Sequence, residues 1–270
     1  MVIIITGASA GIGRRLAIDL HARGAKLVLA ARRIEKLYEL REQLGGGHLS
    51  VTTDVSNGDD CRRLIEQAVE RFGRIDTLVA NAGYGLPSNV HDTTPGQVEA
   101  MFRTNVFGTI DCARAAVGVM AGQTPRDGVR GQIMIVSSGA ARRGLPYFGV
   151  YSATKAAQLS IAEAMRVELS PKAIAVTSVH PIGTETDFFT VAESLGETKI
   201  QSPMRQNWRQ PVERVTVAMV RAIAKPRAEV WTSLGARWGL ALNALMPSVG
   251  DAVMRKQKRE IDAMNGKTND

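Results

Sequence analysis

The chain alternates short aliphatic, β-branched runs with longer stretches in which apolar residues recur every three or four positions. Runs of the first kind lie at Val2–Ile5, Lys26–Ala30, Leu49–Thr53, Thr77–Ala80, Gln132–Ser137, Ala173–Val179 and Glu229–Thr232, bounded by Gly, Asn, Asp or Pro, and each predicts a strand. The second kind predicts helices over Ile12–Arg23, Ile34–Leu44, Gly58–Phe72, Pro95–Met120, Tyr151–Leu169 and Pro211–Ala224. Strands alternating with helices of this length need right-handed crossovers. The expected fold class is therefore α/β, doubly wound, with a mostly parallel sheet of about seven strands covered on both faces. One domain is expected over residues 1–235, with a helical extension over 236–270. No internal repeat interrupts the pattern, and Gln123–Gly131 reads as a polar surface loop.

Composition narrows this only a little. The 270 residues, 44% of them hydrophobic, suffice for one large core. Cys61 and Cys112 cannot build a disulfide framework, lie in helical patterns, and suit a cytoplasmic, reducing setting. No charged-then-apolar leader precedes Val2, and the apolar run Trp238–Met246 falls far short of the roughly 20 residues that span a bilayer. The net charge of +8 is spread along the chain, which favours a solvated basic surface over a nucleic-acid site, and no reading helix or stacking platform accompanies it. No metal-ligand cluster stands out.

The first chemical signal is TGASAGIG, Thr6 to Gly13, between an apolar strand and a helix. Gly7 can turn the chain sharply, Gly11 lets the backbone approach a phosphate, and Gly13 removes a side chain where helix and strand pack. The spacing differs from the usual G-x-G-x-x-G, so the loop alone leaves a nucleotide site and a plain turn both open. The next strand ends LAARRIEKL, with Ala31 where a ribose-binding acid would stand and Arg32 after it. A guanidinium there suits a 2′-phosphate and so NADP(H). Arg33 is open between phosphate contact and solvated charge, and Glu35 reads as an acid suited to a helix start. Asp54 and Val55 close the third strand, Asp54 being either a cap for the following helix or an acceptor for an adenine amino group. Asn81, Ala82 and Gly83 place small residues at the end of the fourth.

The second signal is YSATK. Tyr151 and Lys155 are four apart on a helix and share a face, so the ammonium can favour the phenolate and lower the phenol's ordinary pKa of about 10. That makes a general acid/base. Upstream, the strand ending in Ser137 and Ser138 reaches the same edge, and alternation sends only one of the two serines toward the site.

With these residues in order, the chain resembles the short-chain dehydrogenase/reductase family. The resemblance rests on Thr6 to Gly13, Asp54 and Val55, Asn81 to Gly83, Asn105 of TNVFG, Ser138, Tyr151 with Lys155, and PIGTETD from Pro181 to Asp187, and covers roughly residues 1–190. It implies a Rossmann-type fold and a catalytic set of Asn105, Ser138, Tyr151 and Lys155. Tyr151 would exchange the proton, Ser138 would hold the substrate oxygen, and Lys155 would lower the Tyr151 pKa and bind the nicotinamide ribose. Asn105 would support a water relaying protons to Lys155, a role compatible with satisfying a local helix distortion. Cofactor contacts are implied at Gly7, Ser9, Gly11, Ile12, Gly13, Arg32, Arg33, Asp54, Val55, Asn81, Ala82, Gly83, Tyr151, Lys155, Pro181, Ile182 and Thr186. Ile182 departs from the family's Pro-Gly turn, leaving its backbone N–H and the Thr186 hydroxyl for the carboxamide.

Two regions remain. Asp187 to Gln210, with Phe188, Phe189, Met204 and Trp208, reads as an apolar substrate pocket or lid, or as core. In the tail, Trp238, Ala241, Leu242, Leu245, Met246, Val249 and Val253 form an apolar stripe broken by Pro247, and Arg255, Lys256, Lys258 and Arg259 follow. Packing on the domain or on a partner subunit is favoured over an interfacial membrane helix. The expected protein is an NADP(H)-dependent oxidoreductase interconverting a carbonyl and an alcohol on a small, apolar molecule, as a homo-oligomer. A non-catalytic NADP-binding regulator on the same fold is the alternative, and the intact Asn-Ser-Tyr-Lys set argues against it.

Overall fold

The computed structural model describes residues 1–186, 188 and 209–264. Seven strands form one sheet: β1 (Val2–Thr6), β2 (Lys26–Ala31), β3 (Leu49–Thr52), β4 (Thr77–Ala80), β5 (Gly131–Val136), β6 (Ile174–His180) and β7 (Glu229–Trp231). All neighbours pair in parallel, in the order β3-β2-β1-β4-β5-β6-β7. The helices are α1 (Gly11–His21), α2 (Ile34–Gln43), α3 (Gly58–Phe72), α4 (Pro95–Phe102), α5 (Gly108–Met120), α6 (Gly149–Glu168), α7 (Val212–Ala224), α8 (Leu234–Leu245) and α9 (Pro247–Met264).

The period-two alternation of the strands divides the core. Ile3 and Ile5 face Leu16, Leu37 and Met219 of α1, α2 and α7, whereas Ile4 faces Leu64, Ala113 and Ala162 of α3, α5 and α6. Covering both faces explains why β1 is buried throughout and apolar from Val2 to Ile5, since each side chain has a layer to enter. The strand order reverses between β1 and β4, and ligands of such sheets bind beyond the carboxyl ends at that point.

One expected element differs. The helix pattern over Pro95–Met120 is two helices joined by a π-helical turn at Arg103–Phe107. A π turn inserts one residue without breaking the helix, so apolar spacing does not reveal it. Of the two placements expected for the tail, on the domain or on a partner subunit, the described residues do not show the first. Trp238, Leu242 and Leu245 are 70%, 58% and 80% exposed, so this stripe does not pack on the described domain. Pro247, at the first position of α9, marks the break between the two tail helices.

Candidate active site

The lips of the crevice are tied together by side chains. The Thr6 hydroxyl at the end of β1 accepts from the main-chain N–H groups of Asn81 and Ala82, both at 3.0 Å, and Asn81 Nδ2 donates to the Thr6 carbonyl at 2.9 Å. Gly7 turns the chain at φ +68°, a conformation L side chains rarely adopt. A Cβ on Gly13 would lie 2.5 Å from the Gly7 carbonyl, so α1 approaches the loop as closely as it does only through glycine. Thr186 packs beside Gly11, 3.4 Å from where a Cβ would stand. Ala10, the N-cap of α1, offers no side-chain acceptor to the first turn. The loop thus presents main-chain donors and a helix's positive end, with Gly11, Ile12 and Gly13 opening that helix.

Arg32 and Arg33 are exposed at the end of β2, and Arg33 donates to the Ser9 hydroxyl at 3.2 Å. That contact brings Arg33 to the loop. Ala31 leaves the strand end without an acid, and this donor set fits a ligand carrying several phosphates. Asp54 is not the cap of α3. Asn57 is, accepting from the Asp59 N–H at 2.9 Å, while Asp54 closes a turn by accepting from the Ser56 N–H and hydroxyl. Val55, whose carbonyl lies 2.6 Å from where a Cβ on Gly108 would stand, packs against α5.

Strand alternation separates the two serines as expected. Ser137 is buried and donates to the Lys155 carbonyl at 2.8 Å, whereas Ser138 hydrogen-bonds the Tyr151 phenol. Ser138 Oγ also accepts from Ala140 N–H at 3.1 Å, which holds it at the start of a short 3-10 turn. Behind it, Pro181 accepts from the Gly139 N–H at 2.9 Å, and Gln210 donates to the carbonyl of Ile182 at 3.1 Å and to Thr184 Oγ1 at 3.3 Å. Gln210 thereby secures the turn that carries Ile182 and Thr186.

The protonation states differ from expectation. Burial pushes the Tyr151 phenol up to about 12, against the lowering effect of its hydrogen bond with Ser138. Burial also pushes the Lys155 ammonium down to about 7. Lys155 therefore does not depress the phenol in this state. Its nitrogen sits 5.6 Å from the Tyr151 ring centroid and donates to the Val136 carbonyl at 3.0 Å and Gln158 Oε1 at 2.9 Å. Desolvation is the largest cause at both groups.

Asn105 stands in the π turn. Its side chain pins the segment after Gly83 to α6, donating to the Tyr84 carbonyl at 2.9 Å and Thr154 Oγ1 at 3.0 Å and accepting from the Tyr84 N–H at 3.0 Å. Its main-chain carbonyl accepts from the Gln158 carboxamide at 2.7 Å, and the same carboxamide accepts from Lys155 at 2.9 Å, so Gln158 links the π turn to the lysine. Sequence reading missed Gln158, although it stands three residues after Lys155 on one helix face.

Aromatic groups surround the phenol. Phe188 and Phe148 lie with ring centroids 5.2 and 6.2 Å from that of Tyr151. Tyr147, held at φ +64°, hydrogen-bonds Asp262 of α9, to which Lys258 donates at 2.7 Å. Asp187, Phe189, Met204 and Trp208 fall outside the described residues.

The comparisons agree with this geometry. Residues 1–195 match the sequence model of the short chain dehydrogenase family, and the chain belongs to that family. It is 34% identical over 260 residues to the uncharacterized oxidoreductase YxnA of Bacillus subtilis (strain 168), covering 94% of this chain and 71% of that protein. It is 40% identical over 175 residues to 11-beta-hydroxysteroid dehydrogenase 1A of Arabidopsis thaliana, covering 62% of this chain and 48% of that protein. The chain thus spans about half the length of that plant relative. Among solved structures, a short chain dehydrogenase/reductase from Burkholderia phymatum in complex with NAD superposes with a TM-score of 0.82 at 25% identity, over 92% of this chain and 94% of that one. An alcohol dehydrogenase from Thermococcus sibiricus complexed with 5-hydroxy-NADP gives 0.72 at 25% identity, over 85% and 94%.

Proposed function

We propose that the protein is an NADP(H)-dependent oxidoreductase interconverting a carbonyl and an alcohol on a small, apolar substrate, with Tyr151 as general acid and base. The observation that carries this reading is the meeting of Ser138 and Lys155 on Tyr151 beside the glycine loop. The nicotinamide, when bound, supplies or accepts the hydride. Tyr151 gives its proton to the carbonyl oxygen in reduction and takes the alcohol proton in the reverse direction. A phenol raised to about 12 is protonated at neutral pH, which suits the donor role. Ser138 holds the substrate oxygen, and the Lys155 charge stabilises the phenolate left behind.

Gly7, Ser9, Gly11, Ile12 and Gly13 would hold the phosphates, and Asp54, Val55, Asn81, Ala82 and Gly83 would line the adenosine side of the crevice. Lys155, with Tyr151, would bind the ribose, and Pro181, Ile182 and Thr186 the carboxamide. Arg32 and Arg33, exposed beside Ala31, support NADP(H) over NAD(H). The cluster of Tyr147, Phe148, Phe188 and Ile261 against Tyr151 supports an apolar substrate. The exposed face of α8 supports a homo-oligomer, and the free, buried Cys61 and Cys112 support a cytoplasmic setting. No helix of the described residues is long and apolar enough to cross a membrane.

Tyr151→Phe tests the reading. Turnover of a carbonyl probe with NADPH should fall at least about a hundredfold while NADPH binding stays within roughly twofold. Retained turnover would sink the mechanism. Arg32→Ala should weaken NADPH binding far more than NADH binding, and equal weakening would remove Arg32 from phosphate recognition.

A further inference from the structure

Gln158 is fully buried, and its carboxamide can be oriented in one way only. Its nitrogen lies 2.7 Å from the Asn105 carbonyl, which can only accept, and 2.9 Å from Thr109 Oγ1. The Thr109 hydroxyl already donates to the same Asn105 carbonyl at 2.7 Å, so it too accepts from Gln158. Both amide protons are therefore committed, and Oε1 must face the Lys155 ammonium, 2.9 Å away. Three hydrogen bonds thus fix this amide between the π turn and Lys155.

We propose that Gln158 is a positioning residue of the site, whose carbonyl oxygen holds the Lys155 ammonium charged and aimed at the Tyr151 side. The inference rests on the reading of Tyr151 as the acid/base and adds the group that governs its cation. With the Val136 carbonyl, Gln158 occupies two of the three N–H donors of Lys155 and leaves the third for the site. Among the described residues no carboxylate supplies the ammonium with a countercharge. It meets Val136 from β5, the Asn105 carbonyl through Gln158 from the π turn, and Gly83 from the turn after β4, where a Cβ would stand 3.5 Å from Nζ. The Tyr151 phenol on its own helix is the titratable group that faces it. Burial alone drives the ammonium down to about 7, so an oriented dipole at 2.9 Å decides its charge near neutral pH.

Two near-isosteric variants test this. Gln158→Met keeps the volume and removes the acceptor. Gln158→Glu keeps the acceptor and adds charge while giving up the amide donors to the Asn105 carbonyl and Thr109 Oγ1. Lys155 titration is followed by carbon NMR of its Cε in the cofactor-free protein, and turnover with benzaldehyde and NADPH as a function of pH. In Gln158→Met the lysine should titrate at lower pH than in the parent, and kcat should fall roughly tenfold to a hundredfold with KM within about twofold. In Gln158→Glu it should titrate at higher pH, and the loss of turnover with rising pH should move up with it. Opposite displacements by two variants of one shape are not what a packing role produces. Shifts in the same direction, or an unmoved titration, would overturn the proposal. If Gln158→Met does not fold, Gln158→Glu decides by its titration alone. The underlying reading fails separately: Tyr151→Phe that still turns over refutes the acid/base assignment, whereas an inactive Tyr151→Phe beside unshifted Gln158 variants refutes only the role of Gln158.

Discussion

Helices α6 and α8 invert the ordinary rule of burial. α6 buries Ser152, Thr154, Lys155 and Gln158, while α8, with Leu234, Trp238, Leu242 and Leu245, buries no residue at all. Buried polar groups and exposed apolar patches are the informative exceptions, and here they teach different things. In α6 each polar side chain finds its partner within the chain: Ser152 on the Leu145 N–H, Thr154 on Asn105 and the Tyr151 carbonyl, Lys155 on Gln158. The exception is explained from inside. In α8 no described residue covers the face, and a second copy of the chain is the occupant tested below.

The contrast is sharpest at Lys155. Lys155→Met should abolish turnover to within a hundredfold or more of background, because the charge that steadies the phenolate is gone. Its stability effect carries a sign. The folded lysine titrates near 7 and the unfolded one near 10.5, so between these values the unfolded chain binds more protons and stability of the parent rises with pH. The parent should gain on Lys155→Met across that window, at up to about 1.4 kcal/mol per pH unit. Denaturant titrations at pH 7, 8 and 9 measure it, and a flat difference would show that Lys155 is not desolvated. Next in size is Thr154→Val, which keeps shape but strips Asn105 Nδ2 of one buried partner. It should cost about 1–3 kcal/mol and weaken turnover through Asn105. A cost near zero would mean that the polar face of α6 is dispensable.

Much of this was legible beforehand, for reasons that particular residues make plain. The strands were readable because Ile3, Ile4 and Ile5 and their counterparts are buried on two faces, and Ser138 rather than Ser137 faces Tyr151 because alternation allows only one. The π turn at Asn105 was not, since an inserted residue shifts a helical pattern without breaking it. Nor was Tyr147 at positive φ, a conformation that sequence assigns to glycine and that its bond to Asp262, 115 residues away, accompanies. The Tyr151 pKa was misjudged because spacing reports a nearby charge but not desolvation.

The smallest expected change in folding stability comes from α8. The Arg237 guanidinium lies 5.9 Å from the Trp238 ring, and Trp238 is 70% exposed. Trp238→Ser with Leu242→Ser should therefore leave the unfolding free energy of the dilute protein within about 0.5 kcal/mol, as surface changes do. If a second copy covers the face, sedimentation velocity should show the assembly falling apart in the same variant, and the parent's thermal midpoint should rise with concentration while the variant's does not. An unchanged sedimentation profile refutes the homo-oligomer through this face, and lost flotation on anionic vesicles would then assign it to a lipid surface. A large loss of stability at high dilution would instead mean that α8 is part of the core, and the contrast with α6 would disappear.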